Sequence, residues 1–212
     1  MLLKLLSDAD KRHFLDLADL LTMADKPLLW EGKTSDELTS DTDLDALTVQ
    51  ENEQDRVLME ELEKSAGMRR GGGNLASASS LPEMMRQRRR LTASVEGGSR
   101  SYIHIMNRLV DTLKTYPFIK MEKPEIRVQA AITVLAGLLE EKKYDLISTP
   151  RAILFELLLV ALRDGQITST ESVLLKEFQR HHQLDDFIYD DLLERAEVLN
   201  QEISKTISII LE

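Results

Sequence analysis

The chain has 212 residues, 42% of them apolar, with 27 Lys plus Arg against 37 Asp plus Glu and no cysteine. That length supports one substantial core, and the missing cysteine excludes disulfides, thiolate nucleophiles and Cys-ligated zinc or iron–sulfur clusters. The net charge of -10 speaks against a protein built wholly around a nucleic-acid backbone.

Residues 1–6 are apolar for too short a stretch to form a signal-peptide core, and no apolar run reaches the roughly 18 residues of a spanning helix. A cytoplasmic protein without membrane insertion is expected. Ser7, with Asp10 three residues on, predicts a helix start; Phe14, Leu17, Ala18, Leu21 and Ala24 form its face, and Pro27 stops it near Asp25. Residues 31–63 then hold 12 acidic and 2 basic side chains, and residues 64–108 hold 9 basic and 2 acidic. Gly71, Gly72 and Gly73, followed by Ser77, Ser79 and Ser80, offer too little apolar surface to offset the entropy of ordering. This predicts an acidic insertion at 31–64 and a flexible basic linker at 65–100, the whole of 31–100 mostly irregular.

Beyond the linker, apolar residues again recur at spacings of three and four. Tyr102, Ile105, Met106, Leu109, Val110 and Leu113 predict one helix; Pro124 at a first helical position predicts the next, carried by Ala130, Val134, Leu135, Leu138 and Leu139. Residues 152–162 are apolar nearly all round, as a central enclosed helix should be. Thr168 and Glu171 form a capping-box pattern ahead of Val173, Leu174, Leu175 and Phe178, and a last long helix runs from Asp185 or Asp186 through Ile210. The fold class is therefore all-α: a helical bundle made of 1–30 and 101–212.

Laying residues 13–25 over 152–164 suggests an internal pseudo-repeat of two helix-turn-helix units, each with an apolar helix ending on an aspartate; chance likeness of two amphipathic helices is the alternative. Around the second turn, Asp164, Gly165, Ile167, Thr168 and Glu171 stand where the TerB-like tellurite-resistance family has Asp-Gly, an aliphatic residue, a Ser or Thr cap and a Glu seven after the Asp. The chain resembles that family over 151–200, and more loosely over 7–31 and 101–145. The Asp25 turn departs from the pattern, with Lys26 in the glycine place and Glu31 only six residues on. The resemblance implies a TerB-like helical bundle from bacterial stress operons, with acidic residues near the turns binding a divalent cation such as calcium or magnesium.

A carboxylate at a helix C-terminal turn and another in the next helix's first turn can converge on one hard cation, so Asp164, Glu171 and Asp25 are the candidate metal ligands. The plain alternative is turn and cap chemistry, in which Glu171 only reaches back to the Thr168 amide. Asp41, Asp43 and Asp45 imitate an EF-hand start, but Ala46 and Asn52 occupy its glycine and glutamate places, so that loop fails. His13, His104, His181 and His182 are too scattered in sequence for a zinc site. No nucleophile elbow, phosphate-binding loop or His-x-x-x-His is present, which predicts a protein that is not an enzyme.

What remains is interaction. The apolar face of the last helix, with Leu192, Leu199, Ile203 and Ile210, predicts a docking surface for other proteins of a stress or defence assembly, with homo-oligomerisation also open. The rival class is a nucleic-acid-binding accessory acting through Arg86, Arg88, Arg89 and Arg90. No aromatic is interleaved there and the neighbouring block is strongly acidic, so docking of basic linker on acidic segment is the plainer expectation.

Overall fold

The computed structural model describes residues 2–67 and 100–211. Arg86, Arg88, Arg89 and Arg90, with nearly all of the predicted basic linker, lie outside the described residues. Seven helices are described: α1 (Asp8–Met23), α2 (Glu53–Ser65), α3 (Arg100–Leu113), α4 (Pro124–Glu140), α5 (Ser148–Ala161), α6 (Ser169–His181) and α7 (Asp186–Leu211). A single two-stranded ribbon accompanies them, so the fold is an all-α bundle.

Local chemistry sets the helix ends. Ser7 Oγ accepts the Asp10 amide at 3.2 Å and donates to the Asp10 carboxylate at 2.6 Å, satisfying an amide that α1 cannot pair internally. Pro124 opens α4 at a position where its missing N–H costs nothing. Thr168 and Glu171 form the capping box predicted for α6. The apolar helix α5 sits centrally, packed on α1, α6 and α7, with Ile153, Leu154 and Leu158 fully buried. Its one acid, Glu156, is also fully buried and accepts the amide of Leu2, which ties the amino-terminal turn Leu2–Leu5 to the core.

The acidic stretch differs from the irregular insertion that its composition predicts. Strands β1 (Leu28–Trp30) and β2 (Leu47–Val49) pair antiparallel, Leu28 opposite Val49 and Trp30 opposite Leu47, and the alternate side chains Leu28, Trp30, Leu47 and Val49 are buried. Trp30 meets the Phe118 ring edge-on at 5.2 Å. Asn52 Oδ1 then accepts the Gln54 amide at 3.0 Å and starts α2, whose Met59, Leu62 and Ala66 enter the common core against α1. Most of the charges face outward, Glu63 being a buried exception, while one residue in three or four points in. Block composition conceals this, because an exposed acidic face and a buried apolar face average to a polar segment.

The two segments laid over each other as a pseudo-repeat are both helices that run into an aspartate turn, and the chain diverges after those turns. Gly165 takes φ +87°, which lets the chain reverse directly into the α6 cap. Lys26-Pro27 at the equivalent place instead feeds strand β1.

Candidate functional site

The aspartate turns of α1 and α5 face the same cleft. Thr22, Asp25 and Lys26 line it from the end of α1, Asp55 and Leu58 from α2, and Arg163, Asp164, Thr168 and Glu171 from the α5–α6 turn, around roughly 500 Å³ open to solvent. All three predicted acids, Asp25, Asp164 and Glu171, are thus brought to one place by the packing of α1 on α5. Sequence spacing gave no hint of the residues that join them: Lys26, Asp55 and Arg163.

Those additions change the electrostatics. Lys26 Nζ stands 2.9 Å from Asp55 Oδ2. Burial weakens the ammonium's hold on its proton, but the hydrogen bond to Asp55 and the charges of Asp55, Asp25 and Asp164 outweigh it, so its pKa ends above the ordinary value. Arg163 donates to the Gln54 carbonyl, clasping the α5–α6 turn to the start of α2. Glu171 accepts the Thr168 amide at 2.7 Å; burial pushes its pKa up, only partly countered by the Thr168 bonds. Arg127, buried on α4, donates to the carbonyls of Ala24 at 2.9 Å and Met23 at 3.4 Å, capping the end of α1 and fixing the Asp25 turn.

The cleft is therefore a mixed-charge site with its own cation. Among the described residues, no three His, Asp or Glu side chains are grouped closely enough to hold a metal ion. The Lys26 ammonium, paired with Asp55, brings a positive charge to the same cleft, and one Glu171 oxygen serves the helix cap. As they stand the residues do not form a ready coordination sphere.

A second cleft of about 410 Å³ adjoins the first through Thr22, Lys26 and Asp55, with Met23, Met59 and Tyr102 beside Glu51, Arg56 and Glu63. Near it Asp19 is fully buried on α1. Burial drives its pKa up to about 8, with the Ser101 hydrogen bond opposing and the charges of Asp16, Glu63 and Glu51 adding to the rise.

The histidines are less scattered in space than in sequence. His13 on α1 and His182 after α6 both pack on Tyr144, with ring centroids 5.7 and 5.0 Å away, while His181 stays exposed. His13 Nε2, Tyr144 Oη and His182 Nε2 are buried without a hydrogen-bond partner among the described residues. Burial holds both imidazoles down at about 4.

The predicted docking face divides in two. Tyr189 and Ala196 are buried and Leu192 is packed partly against the core, so Leu192 belongs to the part of α7 that the body already covers. This corrects its assignment as a free contact. Asn200 Nδ2 donates to the Leu162 carbonyl at 2.8 Å, and beyond it every described residue of α7 is exposed. Leu199, Ile203, Ile207 and Ile210 are 40, 48, 50 and 75% exposed. No helix among the described residues is long and apolar enough to cross a membrane.

No protein-family model matches this chain, and no curated protein or solved structure is significantly similar to it.

Proposed function

We propose that the chain is a non-catalytic, TerB-like interaction module, an adaptor or sensor of a bacterial stress or defence assembly, that binds protein through the outer half of α7. One observation carries the reading. The apolar stripe that packs as Tyr189, Leu192 and Ala196 on the body continues as Leu199, Ile203, Ile207 and Ile210, which no described residue covers. Single exposed apolar residues are ordinary, but a continuous row of them at helical spacing is what helix-in-groove recognition uses. The kinship with the TerB-like family is supported by the meeting of the two aspartate turns in one cleft.

Capture from extracts of the native host at low and high salt, with and without nuclease, tests the proposal. A salt-resistant, nuclease-insensitive protein partner is expected, with retention falling on the order of tenfold or more when Ile203 and Ile210 are both changed to Glu. Recovery of nucleic acid alone, lost at high salt and abolished by replacing Arg86, Arg88, Arg89 and Arg90, overturns it in favour of phosphate binding.

A second reading rests on the gathering of Asp25, Asp164 and Glu171. A calcium or magnesium ion in their cleft would sit beside the Lys26 ammonium, whose like charge makes weak binding the expected result. Calorimetric titration with each ion should give a weak heat that Asp164→Ala abolishes. Identical traces for the two proteins leave Glu171 as a helix cap and nothing more.

A further inference from the structure

Two of the four histidines belong to a joint that the docking surface does not use. Tyr144, on the connection between α4 and α5, packs on both His13 of α1 and His182 at the end of α6, with ring centroids 5.7 and 5.0 Å away, and Phe178 backs His182 at 4.5 Å. Three separate stretches of chain are thus held together by four rings.

The joint is closed without the polar bonds that would secure it. His13 Nε2, Tyr144 Oη and His182 Nε2 are buried with no hydrogen-bond partner among the described residues, so each has lost its water without gaining a replacement. The chain leaves the joint through surface stretches: residues 145–148 and 185–187 are exposed, and Gln183 turns the chain at φ +51°. Opening it moves these short segments and leaves the core in place.

Charge decides when it stays shut. Facing His13 are Lys142 and Glu141 from just past α4 and Asp10 from its own helix; facing His182 are His181 and, across the joint, His13. Asp10 also faces Tyr144, but Lys142 Nζ at 2.7 Å and Ser7 Oγ at 2.6 Å already hold its carboxylate, and Glu141 pairs with Arg108 at 3.1 Å. A proton on His13 is therefore buried beside the Lys142 ammonium with its acids engaged elsewhere, and a second on His182 adds repulsion between the two rings. Burial is the largest influence on both imidazoles and keeps them neutral at pH 7, outweighing the pull of the helix end on His182.

We propose that the stack of His13, Tyr144 and His182 is an acid-sensitive latch, in which protons taken up by the two histidines part the end of α6 and the α4–α5 connection from α1. The latch stands whether or not α7 docks a partner. An imidazole in the open joint has its ordinary pKa of 6.5 and in the closed joint about 4, so closure is complete above the first value and is lost as the pH falls toward the second. The opening constant then rises roughly twenty- to thirtyfold per imidazole between about pH 7 and pH 5, and roughly several hundredfold for the pair.

Hydrogen exchange of the full chain at about pH 7, 6 and 5, expressed as protection relative to the intrinsic rate at each pH, tests this. Protection of residues 178–182 should fall by roughly several hundredfold across that range. The amides of Leu154 and Leu158 should change far less, because they open only with the whole core, including Asp19, whose proton linkage runs the other way. His13→Phe and His182→Phe keep a ring against Tyr144 and remove the titrating nitrogen. Each should cut the fall to the roughly twenty- to thirtyfold of the imidazole that remains, and the double variant should abolish it. Protection of residues 178–182 that is flat with pH in the wild type, a fall that the double variant retains, or a fall shared equally by Leu154 and Leu158 overturns the proposal. Proton NMR titration of the wild type decides the matter without any variant: midpoints for His13 and His182 well below 6.5 are expected, and ordinary midpoints overturn the latch.

Discussion

Asp19→Asn is expected to stabilise the protein by about 2–3 kcal/mol at pH 8, with the gain vanishing as the pH falls toward 4. Asp19 is fully buried and its folded-state pKa stands at about 8, against an unfolded value near 3.8. Between these values the folded chain keeps a proton that the unfolded chain releases, so stability is complete below the lower value and drains away as pH rises through the higher one. The full shift corresponds to more than 5 kcal/mol; relaxation around Ser101 and Glu63 brings the expected effect down to about half of it. Asn is nearly isosteric and cannot ionise, which removes the alkaline loss. His13 works in the opposite sense: its folded pKa of about 4 lies below the unfolded 6.5, so its contribution is present above the unfolded value and lost as pH falls. Lys142, Asp10 and Glu141 face that imidazole, and Lys142 adds to the burial that keeps it neutral. The two groups oppose each other in the wild type, and only the variants separate them. Urea unfolding of wild type and Asp19→Asn at pH 4.5, 6 and 8 measures the gap; a gap that does not widen with pH contradicts a buried, protonated Asp19.

Leu62→Ala should cost about 2–4 kcal/mol. Leu62 has no exposed surface, and with Met59 and Ala66 it joins α2 to α1. Removing three buried carbons from a site held on several sides loses their transfer energy and leaves a cavity. Were residues 31–64 a dispensable acidic insertion, the same change would fall within about 0.5 kcal/mol, as for surface substitutions. Urea midpoints of the two proteins decide between these outcomes. Lys26→Ala at the neighbouring cleft is a weaker probe, because its partner Asp55 reaches solvent and partly exposed ion pairs contribute little.

The helices were legible where periodicity and punctuation agreed. Ser7 and Pro27 bracket α1, Pro124 opens α4, and Thr168 with Glu171 starts α6, each by a local rule that needs no tertiary contact. Helix α2 and the ribbon were lost because their apolar residues sit among 12 acids. The signal was present in Met59, Leu62 and Ala66 at spacings of three and four after an Asn cap, and in the alternation of Leu47 and Val49. The cleft was half legible. Asp25, Asp164 and Glu171 follow from the repeat, but the Lys26–Asp55 pair and the Arg127 cap join residues far apart in the chain, and spacing carries no information on such contacts. His13 and His182 met unforeseen for the same reason. Asp19 was invisible in another way: α1 is covered on nearly every side, so an acid that seems to belong to a polar face has no solvent to point at.

Hydrogen exchange of the α7 backbone, measured on the chain below 1 µM and again with its partner bound, tests most directly whether the outer half of this helix is the working surface. Free, residues 201–211 should exchange near the rate of an unprotected helix end while residues 186–199 stay slow, because only the latter are packed on α5. Bound, protection should spread outward across Ile203, Ile207 and Ile210 with little change around Asp25 and Asp164. Protection that instead appears at the cleft, with residues 201–211 as fast in the complex as alone, would contradict the account.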